Sequence, residues 1–179
     1  GSNITGATES TFNITGVANG DEGSYTVEVW NGVGSPAVSG ASTLTVHVSA
    51  VISVHPQPAA QTLVEGQTMS LSVAATGDPL TLSYQWQRDG VNITGATEST
   101  FNITGVTNAD EGSYTVAVTN GVGEADVSLA SNLTVHVPVT ITADPSPAAQ
   151  TLVAGDTMSL GVAAAGDPDT FTYQWRLDG

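Results

Sequence analysis

The 179-residue chain sets 17 acidic side chains against two arginines, Arg88 and Arg176, with no lysine and no cysteine, for a formal net charge of −15. That balance excludes nucleic acid, whose phosphates are bound by Lys and Arg, and it opposes docking on an anionic membrane surface. The absent cysteines exclude disulfides, thiolate metal sites and Cys nucleophiles, the absent lysine excludes a Lys–Asn isopeptide cross-link, and no apolar run approaches the roughly 18 residues of a membrane span.

The first elements are short and strand-like. Phe12 and Ile14 alternate with Asn13 and Thr15, an Asp21-x-Gly23-x-Tyr25 run follows, and a last apolar stretch reaches Val48. Val27 and Val29 share one face, so Trp30 is expected on the other. The stretch Val51–His55 reads as a β-run ended by Pro56, and Gln61–Val64 as a second extended piece before Glu65-Gly66. Met69, Leu71, Val73 and Ala75 alternate with small residues, the period of a half-buried strand. Leu82, Tyr84 and Trp86 share a face before an Asp89-Gly90 turn. Phe101 and Ile103, then Tyr114, Val116 and Val118, repeat the rule, and Asn120-Gly121 is a hairpin signal. Leu133, Val135 and Val137 close this set. A third series begins at Pro145 and Pro147, continues through Met158–Val162 and reaches Tyr173 and Trp175 before Asp178-Gly179.

These series are one sequence repeated at an offset of 89: Asn3 matches Asn92, Tyr25 matches Tyr114, and Trp86 matches Trp175. From residue 3 onward, 63 of the 88 aligned pairs are identical. Such a period marks a tandem array of structural units. Thr, Val and Ser enrichment without a helical period gives an all-β fold, an antiparallel sandwich of about seven strands in each 89-residue repeat.

The stretch LSVAATGDP…YQWQRDG…STFNITGVTNADEGSYTVAVTNGVG resembles the immunoglobulin-like (Ig-like) fold, in the form found as tandem repeats in large bacterial surface proteins. The resemblance places Trp86 as the core tryptophan of the third strand, with Asp110, Gly112 and Tyr114 as the tyrosine corner. It sets Val73 and Val116 where the family's disulfide cysteines usually sit, packed on Trp86 by dispersion contacts alone. On these landmarks residues 50–137 are a complete domain. Residues 1–49, with Tyr25, are the second half of a domain, and residues 138–179, with Trp175, the first half of another. Linkers are expected at Ser49-Ala50 and Pro138-Val139. Alone, each half leaves Phe12, Val27, Val162 and Trp175 facing water. Gly179 falls where Gly1 does in the period, so each half is expected to be completed by neighbouring sequence or by another subunit.

Few residues point to chemistry. Asn3, Asn13, Asn92, Asn102 and Asn132 open Asn-x-Thr sequons. They are glycosylation acceptors where the machinery exists and plain polar strand positions otherwise. Acidic turns recur at Asp21/Glu22, Asp78, Asp110/Glu111 and Asp167/Asp169 without EF-hand spacing. No cofactor is therefore expected, calcium held between paired junction loops being the alternative. Trp30 is a candidate contact to an adjacent domain or subunit, or a sugar-stacking platform. His47 and His136 hold matched places in different repeats, with His55 nearby, and are read as structural or merely exposed. No nucleophile–base constellation occurs. The expectation is a non-enzymatic extracellular filament or stalk, built from identical subunits or adjacent repeats head to tail. The alternatives are a module binding cell-surface glycans or proteins, and spacer repeats of a surface enzyme.

Overall fold

A computed structural model of the chain describes residues 1–178, so Gly179, with its turn and its place in the period, lies outside the described residues. The first segment holds β1 (Gly23–Tyr25), β2 (Glu28–Val29), β3 (Ala37–Val38) and β4 (Ser42–Leu44). The central segment holds β5 (Val48–Gln57), β6 (Ala60–Val64), β7 (Thr68–Asp78), β8 (Ser83–Arg88), β9 (Val91–Asn92), β10 (Thr100–Thr104), β11 (Gly112–Thr119), β12 (Asp126–Val127) and β13 (Ser131–Ser146). The last element is β14 (Gly161–Asp167).

The central segment is a two-sheet sandwich. One sheet runs β10-β7-β5. The other runs β13-β11-β8-β9, with β12 beside β11 and β6 parallel to β13. Seven strands carry the fold; β9 and β12 are two-residue additions. Alternation puts Met69, Leu71 and Val73 of β7 on one inner face, opposite Trp86, Tyr114, Val116, Val118 and Val135 of the other sheet. Phe101 stacks on Trp86 with ring centroids 5.8 Å apart. The turn from β8 to β9 has Asp89 and Gly90 at φ 51° and 80°, the double left-handed geometry of a tight hairpin. This is the expected immunoglobulin-like sandwich, with Val73 and Val116 in the core beside Trp86 and no covalent staple.

Three expectations need correction. Ser49-Ala50 and Pro138-Val139 are not linkers: the first pair lies inside β5 and the second inside β13. Pro56 likewise lies within β5 and does not end it. Each strand absorbs its prolines at register shifts, between Val54 and Gln57 in β5 and between Val137 and Thr140 in β13. At such a shift no ladder N–H is required. Finally, Val162 is half-buried rather than open to water, because β14 pairs with β13.

Strand β13 therefore has two roles. Its first residues pair with β11 and β6 in the central sandwich, and from Val137 onward it pairs with β14. One strand, with a register shift between Val137 and Thr140, leaves the central sandwich and starts the next sheet.

Candidate functional site

The most informative surfaces are the inner faces of the two flanking segments, because the central sandwich shows what the same residues look like when covered. Trp86 is 0% exposed and its equivalent Trp175 is 49%; Val116 is 0% and Val27 is 53%. Phe12, Val29, Met158 and Tyr173 are exposed as well. The same apolar positions are thus covered in the central segment and uncovered in the flanking ones.

Secondary structure is missing from the flanking segments at defined places. The segment matching β10 (residues 11–15) is not a strand, and neither is the one matching β8 (172–177), β6 (149–153) or the start of β7 (157–160). In the central sandwich β10 pairs with β7, β8 with β11, and β6 with β13. Every lost strand is one whose partner belongs to the other half of the period. Strands paired within a half survive: β1 with β4, β2 with β3, and β13 with β14.

Local hydrogen bonds also survive, so each half holds much of its mature shape. Tyr25 donates its hydroxyl to the Asp21 carbonyl as Tyr114 does to Asp110. The Val46 N–H reaches Glu22 Oε1 at 2.8 Å, matching Val135 and Glu111 at 2.7 Å. Val27 N–H donates to Ser39 Oγ at 3.0 Å, as Val116 does to Ser128. In the last segment Gln150 Nε2 donates to the Ser159 carbonyl, and Gln174 Nε2 to that of Trp175, repeating Gln61 with Ser70 and Gln85 with Trp86.

One residue that joins the halves was read from sequence only as part of a hairpin turn. In the central sandwich the buried Asn120 accepts the Ala50 N–H on Oδ1 at 3.2 Å. Its Nδ2 donates to the Val48 carbonyl at 2.8 Å and the Pro79 carbonyl at 3.2 Å. The signal for it was its exact repetition as Asn31-Gly32. Asn31 Oδ1 still accepts the Val33 N–H at 3.1 Å, just as Asn120 accepts that of Val122. The residues matching Val48, Ala50 and Pro79 are Val137, Val139 and Pro168, in the other flanking segment.

The remaining candidates stay apart. Asn3, Asn13, Asn92, Asn102 and Asn132 are all exposed, the last three on β9, β10 and β13 and the first two outside regular elements. Trp30 is 64% exposed, with its indole N–H on the Gly34 carbonyl at 3.2 Å. His47 is exposed and His136 half-buried, while His55 Nδ1 accepts the Leu129 N–H at 3.2 Å. Among the described residues no group of three His, Asp or Glu side chains could hold a metal ion. Burial pushes the Tyr114 phenol above its ordinary value; Arg88 opposes this, and the carboxylates of Asp110 and Asp89 add to it.

An immunoglobulin domain family model matches residues 51–120. Mouse peroxidasin homolog is 29% identical over 93% of this chain and 11% of its own length. The Drosophila melanogaster cell adhesion molecule Dscam1 is 31% identical over 89% of this chain and 8% of its own length. The chain thus spans about a tenth of the length of these curated relatives. Among solved structures, a three-Ig fragment of titin matches with TM-score 0.59 and 21% identity, over 73% of this chain and 47% of the fragment. Extracellular domains 3–5 of Drosophila OTK match with TM-score 0.50 and 26% identity, over 66% and 41%. The fold is all-β and Ig-like, and its relatives include cell adhesion proteins.

Proposed function

We propose that the chain is a structural and adhesive extracellular module, a stalk of cysteine-free Ig-like sandwiches set head to tail. The observation that carries this reading is β13, a single 16-residue strand that serves the central sandwich and the sheet beyond it. A junction made of paired strand has few soft dihedrals, so adjacent beads bend little. The 89-residue period and the absence of cysteine support the finer likeness to tandem arrays of bacterial surface proteins. In this reading residues 50–137 are one domain, and residues 1–49 and 138–179 belong to sandwiches completed by adjacent repeats or by identical subunits.

The same reading makes the module non-enzymatic and free of cofactor, with its surface outside the cell. No described helix is long and apolar enough to cross a membrane. The −15 charge supports a soluble, self-repelling rod in a medium whose salt screens it. Small-angle scattering from a polypeptide of several consecutive repeats tests this. A stiff rod is expected, and insertion of two glycines between Val137 and Pro138 should shorten its mean end-to-end distance. A flexible string of beads, unchanged by the insertion, would refute it.

A second reading rests on Trp30, an indole 64% exposed and so within reach of a sugar or a partner protein. It requires glycan or protein binding that Trp30→Ala abolishes while the circular dichroism spectrum stays unchanged. Sugars on Asn92 or Asn102 would appear in the intact mass of protein made in a glycosylating host.

A further inference from the structure

We infer that β10 of the central sandwich (Thr100–Thr104) is a self-complementary edge that pairs antiparallel with β10 of a second copy of this chain. The contact lies on the flank of the sandwich, and it adds a lateral partner that the stalk reading does not contain.

β10 is left open on one side by the short connection that precedes it. It is the outer strand of the sheet β10-β7-β5 and pairs with β7 alone. In Ig sandwiches a further strand usually covers this edge. Here only residues 93–99 join β9 to β10, and they are spent on tight turns. Ala96 N–H donates to the Ile93 carbonyl and Thr97 N–H to that of Gly95. Between these turns and Thr100–Asn102 lies an open hollow of about 290 Å³, so the turns do not cover the strand.

The register with β7 fixes which backbone groups face outward. Thr100 stands opposite Ser72, so the next pair is Ser99 with Val73, and Val73 N–H donates to the Ser99 carbonyl. Bonded and non-bonded pairs alternate along an antiparallel ladder. Phe101 and Ile103 therefore bond β7, while the N–H and C=O groups of Thr100, Asn102 and Thr104 point to the free edge. The Ser70 carbonyl, opposite Asn102, agrees: it is turned from β10 and accepts Gln61 Nε2. Side chains follow the same alternation, Phe101 and Ile103 packing on the core and the other three exposed.

Read in either direction, Thr-Phe-Asn-Ile-Thr gives one order of side-chain types: branched hydroxyl, large apolar, amide, large apolar, branched hydroxyl. A two-fold axis at Asn102 sets that residue opposite its own copy, Thr100 opposite Thr104, and Phe101 opposite Ile103. The three outward residues then exchange about six N–H···O bonds, and Phe101 meets Ile103 in the closer, non-bonded pairs. A two-residue slip would pair only three of the five residues.

On a chain of net charge −15 this strand carries no charge, so like-charged copies can approach along it. It also lacks the devices that blunt the other edges. β5, across the same sheet, carries Pro56 and three register shifts, and β9 is two residues long. β10 has no proline and pairs with β7 without a shift. A two-fold contact closes on itself and gives a dimer, not a fibre. A sugar on Asn102 would cap the edge, so the unmodified chain is the form that pairs.

Sedimentation velocity of the 179-residue protein, made without glycosylation, should show a monomer–dimer equilibrium at concentrations up to about 1 mM. Asn102→Lys and Asn102→Asp each set like charges face to face, and each alone should weaken the dimer by about fivefold. Mixed, they should form a 1:1 heterodimer, because position 102 meets only position 102 across the axis. Asn102→Pro, tolerated on an edge whose N–H faces outward, should abolish pairing and keep the circular dichroism spectrum. A spin label on Asn102→Cys should broaden strongly, since the paired Cα atoms are about 5.5 Å apart. One on Thr100→Cys should broaden less, its copies lying about 13 Å apart along the strands. A protein that stays monomeric to about 1 mM would overturn the inference. So would association that none of these substitutions alters, or Lys and Asp variants that fail to recover one another. None of these results bears on the stiffness of a multi-repeat rod, so the stalk reading stands or falls separately.

Discussion

Asn120 Oδ1 accepts a hydrogen bond from the Ala50 N–H across 70 residues of chain, tying the hairpin after β11 to the first strand of the sandwich. The same amide serves the Val48 and Pro79 carbonyls. Buried backbone groups left unpaired cost about 1–3 kcal/mol each. Asn120→Ala should therefore lower the stability of the central sandwich by about 3 kcal/mol in urea unfolding. A Cβ on Gly77 would meet Asn120 Nδ2 at 2.9 Å and Ala50 Cα at 3.1 Å. Gly77→Ala should cost about 1–3 kcal/mol. The double variant should cost less than the sum, because both changes break one hub. Full additivity would show that the two sites act independently.

Val73 and Val116 are both buried in the core cluster that contains Trp86, on β7 and β11 of the two sheets. If they hold the positions at which related domains place a disulfide, Val73→Cys with Val116→Cys should oxidise to a bridge during refolding. Closing a loop of that span should stabilise the sandwich by about 2–4 kcal/mol over the reduced form. Urea unfolding with and without reductant measures it. Thiols that stay free under oxidising conditions would show that the pair is placed differently here.

Tyr114 is buried, and its phenol titrates above its ordinary value chiefly through desolvation. Its folded-state value exceeds the unfolded one, so the contribution to stability is fully present below the unfolded value, about 10. It is lost as pH rises from there through the folded value. Stability measured by urea unfolding should decline above about pH 10. Tyr114→Phe should flatten that decline while costing about 1 kcal/mol at neutral pH, since the Asp110 carbonyl loses its donor. An unchanged alkaline slope in the variant would assign the decline to other groups.

The fold was legible because Trp86, Tyr114 and the period-2 valines are local signals, each readable within a few residues of chain. The repeat then carried these signals to Tyr25 and Trp175. Asn120 was not legible as a hub, since its partners are defined by the backbone positions of Pro79 and Val48, 41 and 72 residues away in sequence. Pro56 and Pro138 misled for a related reason. A proline reads as a strand end until a register shift in the neighbouring strand removes the need for its N–H. Nor does alternation reveal which strands need a distant partner. That dependence emerged only where residues 11–15 and 172–177, bearing nearly the same sequence as β10 and β8, are not strands.

Two of the acidic turns that raised calcium as a ligand, Asp21/Glu22 and Asp110/Glu111, are occupied by the chain itself. Asp110 Oδ2 accepts the Thr107 N–H and hydroxyl, each at 2.9 Å, and Asp21 Oδ2 accepts the Ala18 N–H at 2.8 Å. Glu111 and Glu22 hold the N–H groups of Val135 and Val46. A cation would have to displace these donors to gather six or more oxygens. The thermal midpoint should therefore be the same, within about 1 °C, in millimolar calcium and in EDTA, since a ligand that does not bind the folded state cannot shift it. Asp110→Ala, by contrast, should cost about 1–2 kcal/mol in either buffer through loss of its bonds to the turn. A calcium-dependent rise of several degrees, abolished by Asp110→Ala, would instead establish a cation site at this corner.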